Sequence, residues 1–224
     1  MRALILAGLL LAAAVPALAL DLSTPGGLRL AVPVASIKAM RFNTTLHQQY
    51  DFSCGSAAVA TLLSHHYGRT TSEQQVFEQM FQQGDQARIR REGFSLLDMQ
   101  ALLAKQGLRA DGFTLPLQAL RAAGLPAIVL VAEQGYQHFV VIKGIADGRL
   151  LLGDPARGSR TMPIVQFEAI WQNKLLFVIH DYAGPVRFNA PGDWGAAPQA
   201  PLAQAISRTP LANVTMAKLG PSDF

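Results

Sequence analysis

The chain has 224 residues, 50% of them hydrophobic, with 19 basic against 15 acidic side chains and a net charge of +4. That length suits one domain with appendages and leaves room for a substantial core. The small, scattered positive excess excludes a nucleic-acid-binding footprint, and the single cysteine excludes an internal disulfide.

Met1-Arg2, the apolar run Ala3 to Val15 and then Pro16-Ala17-Leu18-Ala19 form the charged, apolar and small-residue parts of a secretory signal spanning 1–19. The mature chain is therefore expected in the periplasm, without stable membrane insertion once the signal is removed; the alternative is an uncleaved inner-membrane anchor. Residues 20–45, with Pro25-Gly26-Gly27 and then Leu28 to Val34, read as a flexible lead-in holding one extended segment.

The body of the protein is expected over 46–183. Small and aliphatic residues predict a helix from Cys54 to Tyr67, stopped at Gly68. Capping chemistry around Thr71-Ser72 opens a second helix over Glu73 to Gln83, with Val76, Phe77, Met80 and Phe81 on one face. The charged stretch Asp85 to Gly93 reads as a solvated connection. Ser95 and Asp98 cap a third helix that ends at Gly107.

After Leu108 the rhythm changes to short apolar runs. A strand is expected near Arg109 to Leu115, a brief helix over Pro116 to Ala123, and strands at Ala127 to Val131, His138 to Lys143 and Arg149 to Leu152. Asp147-Gly148 between the last two is a hairpin signal. Met162 to Trp171 reads as one more short helix and Leu175 to Ile179 as the final strand. Helices first and antiparallel strands second imply an α+β fold, with the helical N-terminal half packed on the sheet. From Gly184 the composition turns to Pro, Ala and Gly, and 184–224 reads as a disordered or loosely docked tail.

The chemistry gathers around Cys54. At the first turn of a buried helix, unpaired N–H groups and the positive end of the dipole favour thiolate over thiol. A free thiol kept in an exported chain points to a nucleophile, and a nucleophile needs a base. His65 and His66 lie 11 and 12 residues further along the same helix, roughly 16 to 18 Å away at about 1.5 Å per residue. His47 sits on a loop, and His180 ends a strand without an orienting partner. His138 begins a strand after a polar loop, and the hairpin folds the next strand back so that Asp154 lies near it. A carboxylate there fixes the imidazole tautomer; the plainer reading of Asp154 is a turn former before Pro155. An amide from Gln48, or on spacing alone from Gln49, is in reach of a developing oxyanion.

These residues resemble the bacteriocin-processing, double-glycine-leader cysteine peptidases, a papain-like family. The shared pattern is Gln48, five residues, Cys54-Gly55, then His138-Phe139-Val140-Val141 and Asp154-Pro155. The resemblance implies a papain-like fold with Cys54 as nucleophile, His138 as general base and acid, Asp154 as its orienter and Gln48 as the oxyanion donor. It implies no metal or organic cofactor and a peptide or protein substrate cut after small residues such as paired glycines. Ser53 departs from the pattern, standing where many members have an acidic residue. No transporter or ATP-binding domain follows, so a stand-alone exported member is expected. Asp51 to Ala58 and Glu92 to Met99 are similar in wording to small peptidases encoded with functional-amyloid secretion systems, which implies amyloid subunits and outer-membrane secretion components as partners in biofilm-fibre formation. The alternative function is a non-catalytic binding module or secretion adaptor.

Overall fold

In the computed structural model the structure describes residues 36–195, together with the backbone of two strands, β1 (Ala19–Ser23) and β2 (Arg29–Pro33). These two pair antiparallel, Ala19 opposite Pro33. The expected signal segment lies outside the described residues up to its last position, as does the tail from 196 onward.

The helical half comes first. α1 (Ile37–Arg41) precedes the central helix α2 (Cys54–Thr61), which widens into a π-turn over Leu62–His66 before Gly68 turns the chain away at φ +66°. α3 (Glu73–Gln83) and α5 (Leu96–Lys105) each begin with a reciprocal capping box, Ser72 with Gln75 and Ser95 with Asp98. Between them stands α4 (Gln86–Glu92), where the sequence suggested a loop. Only Ile89 of α4 is buried, so no apolar period marks it; Asp85 caps it by accepting from Arg88 N at 3.0 Å.

The second half is a six-stranded antiparallel sheet. Its strands are β3 (Arg109–Thr114), β4 (Ala127–Glu133), β5 (Tyr136–Ala146), β6 (Arg149–Asp154), β7 (Gly158–Pro163) and β8 (Leu175–His180), in the order β3-β8-β4-β5-β6-β7. Helices α6 (Leu117–Ala123) and α7 (Ile164–Ile170) connect strands. Strand β7 was not expected: it is polar, carries no apolar alternation, and lies at the sheet edge, where only one neighbour constrains it.

Alternation along the strands decides what covers each face. Ile128, Phe139, Val141, Phe177 and Ile179 point toward α2, α3 and α5, while Val129, Val140, Ile142, Leu176 and Val178 point toward α6 and α7. Both faces are thus buried, and α2, whose eight residues are all buried, is wedged between the sheet and the other helices. This wedge holds the start of α2 against β5.

The first part of the expected tail docks. His66 Nδ1 donates to Arg187 O at 2.5 Å, and Arg187 N donates to His66 O at 2.9 Å. Asn189 N donates to Lys143 O, and Asn189 Oδ1 accepts from Ile145 N at 2.7 Å. A side chain on Gly144 would collide with Asn189, so this register needs glycine there. A last short helix, α8 (Pro191–Gly195), brings Asp193 Oδ2 to 3.5 Å from Lys143 Nζ, and both side chains are buried. The packed body therefore runs past Gly184 to at least Gly195.

Lys143 is fully buried, and its Nζ also donates to Thr44 O at 2.8 Å and Thr44 Oγ1 at 2.6 Å. Burial pushes its ammonium down from 10.5 to about 8, only partly offset by Asp193. The folded chain then holds fewer protons than the unfolded chain between about 8 and 10.5, so stability rises with pH across that window. Denaturant unfolding from pH 8 to 10.5 should show a gain of about 3 kcal/mol that Lys143→Met abolishes.

Candidate active site

Cys54 opens α2 and is 8% exposed. Its neighbour must be small: a Cβ on Gly55 would meet Met99 Cε at 2.8 Å and Phe94 Cβ at 3.0 Å. Burial pushes the Cys54 thiol up, and the backbone N–H groups of Phe139, Gly55 and Cys54 that pull it down do not offset this. The expectation that the helix start alone favours thiolate is thus corrected. The same packing that exposes the thiol to N–H dipoles also strips it of water, and desolvation is the larger effect.

His138 lies on β5 opposite Val131 of β4, and the β5–β6 pairing carries Asp154, the last residue of β6, to its side. His138 Nε2 and Asp154 Oδ2 are 3.2 Å apart, both side chains being buried. The other ring nitrogen, Nδ1, is buried with no hydrogen-bond partner among the described residues. His138 and Cys54 line one cleft of about 450 Å³, with Phe52, Arg90, Gly93 and Tyr136 among its walls. The Tyr136 ring stacks on His138 at 5.4 Å and 23°, and its hydroxyl donates to Asp51 O at 2.8 Å. Tyr136 thereby ties the β4–β5 turn to the loop before Cys54.

Asp154 serves both readings of its position, one per oxygen. Oδ1 accepts from Ala156 N at 3.0 Å and Arg157 N at 3.3 Å, which forms the turn around Pro155. Oδ2 accepts from His138 and from Arg160 Nε at 3.1 Å. Burial pushes its carboxyl up, but the bond and charge of His138, the Arg160 charge and the Ala156 N–H together bring it below the ordinary carboxylate range. Arg160 continues to Glu133, its two terminal nitrogens lying 3.1 and 3.0 Å from Glu133 Oε1 and Oε2. Arg157 adds a contact to Glu133 Oε2 at 2.5 Å.

Glu133, His138 and Asp154 bring donor atoms within 4.8 Å of one another, a spacing suited to a metal ion. Here the cation among them is the Arg160 guanidinium, bonded to both carboxylates.

Gln48 is placed beside the helix start, but its amide is engaged with its own loop. Nε2 donates to Tyr50 O at 3.0 Å and weakly to Asp51 O at 3.4 Å, and Gln48 N donates to Pro155 O at 3.1 Å. The structure therefore brings Cys54 and His138 to one cleft with Asp154 bonded to the imidazole, and leaves the Gln48 amide on its own loop, outside the residues that line that cleft. Tyr136, Arg160 and Glu133 escaped the sequence reading. Tyr136 lies in the polar loop before His138, and Arg160 on a strand without apolar signal, so only the fold reveals their partners.

The sequence pattern of the Peptidase C39 family matches residues 43–181. The chain is 38% identical over 155 residues to a Pseudomonas aeruginosa protein named a probable functional amyloid protease, FapD, covering 69% of this chain and 68% of that one. A Pseudomonas fluorescens protein of the same name is 37% identical over the same length and shares. Among solved structures, the peptidase domain of Streptococcus ComA, a bi-functional ABC transporter, superposes with a TM-score of 0.51 at 22% identity. That match covers 61% of this chain and 96% of the other, and its likeness is one of fold.

The Arg160 ladder makes a stability prediction. Arg160→Met leaves the Asp154 and Glu133 carboxylates facing each other without their shared cation, at a cost of about 3 kcal/mol in denaturant unfolding. Adding Glu133→Leu should recover part of that loss, a non-additivity that a double-mutant cycle measures.

Proposed function

The chain belongs to the peptidase C39 family and is a cysteine peptidase, and from that premise we propose that Cys54, His138, Asp154 and Gln48 form its catalytic machinery. The observation that carries the assignment is the bare, buried Nδ1 of His138, whose other nitrogen meets a buried carboxylate, in the cleft that holds the chain's one thiol. With Nε2 committed to Asp154, Nδ1 is the nitrogen free to take a proton.

The steps follow from these groups. The Cys54 sulfur attacks a peptide carbonyl as His138 Nδ1 takes the thiol proton, forming an S–C bond and a tetrahedral oxyanion. The Cys54 N–H and the Gln48 Nε2 hydrogen now held weakly by Asp51 O stabilise that oxygen. On collapse the C–N bond breaks and the imidazolium gives its proton to the leaving amine. Water, deprotonated by His138, then hydrolyses the thioester and restores the thiol. Burial pushes the resting thiol up, so the mechanism needs a base, and the bare Nδ1 of His138 is the proposed acceptor. Asp154 stabilises the imidazolium meanwhile.

The substrates proposed are exported peptides or proteins, amyloid subunits or components of their secretion system, cut in the periplasm after small residues such as Gly-Gly. The names of the Pseudomonas relatives support the amyloid connection.

Cleavage of synthetic Gly-Gly peptides, followed by mass spectrometry, should fall on the order of 10³-fold or more in Cys54→Ala and His138→Ala. Gln48→Ala should lower kcat about 10²-fold with KM little changed. In a producing strain, Cys54→Ala should leave the termini of secreted amyloid subunits unprocessed. Unchanged termini would oppose the substrate proposal, and full peptide cleavage by Cys54→Ala would overturn the nucleophile.

A further inference from the structure

We propose that Tyr136 is a positioning residue of the proposed machinery: its ring fixes the plane of the His138 imidazole, and its hydroxyl latches that ring to the loop in front of Cys54. The inference rests on His138 being the base that serves Cys54.

The need for such a residue follows from the geometry of the imidazole. The bond between His138 Nε2 and Asp154 Oδ2 holds one ring atom, and the backbone holds the other end of the side chain. Rotation about the axis through those two points is restrained by neither, and that rotation decides where the bare Nδ1 is aimed. A flat surface laid against the ring face blocks it. The Tyr136 ring is such a surface, its centroid 5.4 Å from that of His138 and the two planes 23° apart. Tyr136 and His138 are two positions apart on β5, so both side chains leave the same face of the strand.

The local sequence fixes where Tyr136 stands. Gln134 and Gly135 turn the chain at φ +53° and +81°, and the turn closes with Tyr136 opposite Glu133. One hairpin end thus supplies two supports. Glu133 takes Arg160, which holds Asp154 at the edge of the imidazole, and Tyr136 covers the face.

Packing alone does not hold the tyrosine. It is 48% exposed, whereas His138 is 2% exposed, and an exposed side chain without a tether exchanges rotamers quickly. The tether is the hydroxyl, which donates to Asp51 O at 2.8 Å. Asp51 lies three residues before Cys54, and both line the cleft with Tyr136 and His138. The bond therefore crosses from the sheet wall of the cleft to the helical wall, and the ring cannot swing off the imidazole without breaking it.

Two substitutions separate ring from hydroxyl. Tyr136→Leu removes the flat face, and kcat for a Gly-Gly peptide should fall about tenfold or more with KM within about twofold, because attack geometry is disturbed and binding is not. Tyr136→Phe keeps the ring without its tether and should hold kcat within about threefold of the native enzyme. Native kcat in Tyr136→Leu, a loss carried by KM alone, or equal losses in the two variants would overturn the proposal. Spectra of ¹⁵N-labelled histidine in Tyr136→Leu add a readout that does not use activity. Asp154 still sets the tautomer there, so His138 Nε2 should keep its proton; loss of that proton would make Tyr136 a support of the His138–Asp154 pair and contradict a role in the ring plane. Native kcat in Tyr136→Leu beside abolished cleavage in His138→Ala sinks this inference alone, whereas full cleavage by His138→Ala overturns the base and this inference together.

Discussion

A carboxylate with no solvent exposure, Asp154, sits at the end of β6, and the arrangement around the site follows from having to keep it there. An unpaired buried charge costs several kcal/mol, so both oxygens need partners on every side. The turn N–H groups of Ala156 and Arg157 take one, and His138 and Arg160 take the other. Glu133 then has to balance Arg160, which ties the end of β4 to β7 across β5 and β6. His138 is held in the middle of this ladder, and its ring orientation is a consequence of the ladder.

The second requirement is that the helix start meet the sheet at His138. Burying all of α2 between β5 and the helical layer supplies this, at a chemical cost. A helix terminus favours an anion by about 0.3 to 1 kcal/mol, about 2 at most, whereas full desolvation shifts a thiol by up to several pK units. Burial wins at Cys54. In the proposed mechanism the pinned imidazole is the group that takes the thiol proton.

Much of this was legible in the residues because it is local. Capping boxes and glycine stops gave α3 and α5 to within a residue or two, and apolar runs with Asp147-Gly148 gave the central strands. His138 and Asp154 could be paired because one hairpin fixes their separation. What escaped depends on distant partners. α4 has one buried residue, β7 is a polar edge strand, and Arg160 and Glu73 look like surface charges until the fold buries them. The docked segment at 186–193 carries no period because its contacts are scattered: hydrogen bonds to β5 and to His66, the Asp193–Lys143 ion pair, and Val186 and Phe188 packed on opposite faces of the sheet.

The central claim is that Asp154 fixes which nitrogen of His138 is free. Long-range ¹H–¹⁵N spectra of protein with ¹⁵N-labelled histidine, recorded at mildly alkaline pH and assigned by His138→Ala, read that directly. The account predicts a neutral ring protonated on Nε2 with Nδ1 bare, and loss of this preference in Asp154→Asn. A ring protonated on Nδ1, or one unchanged by Asp154→Asn, would contradict it.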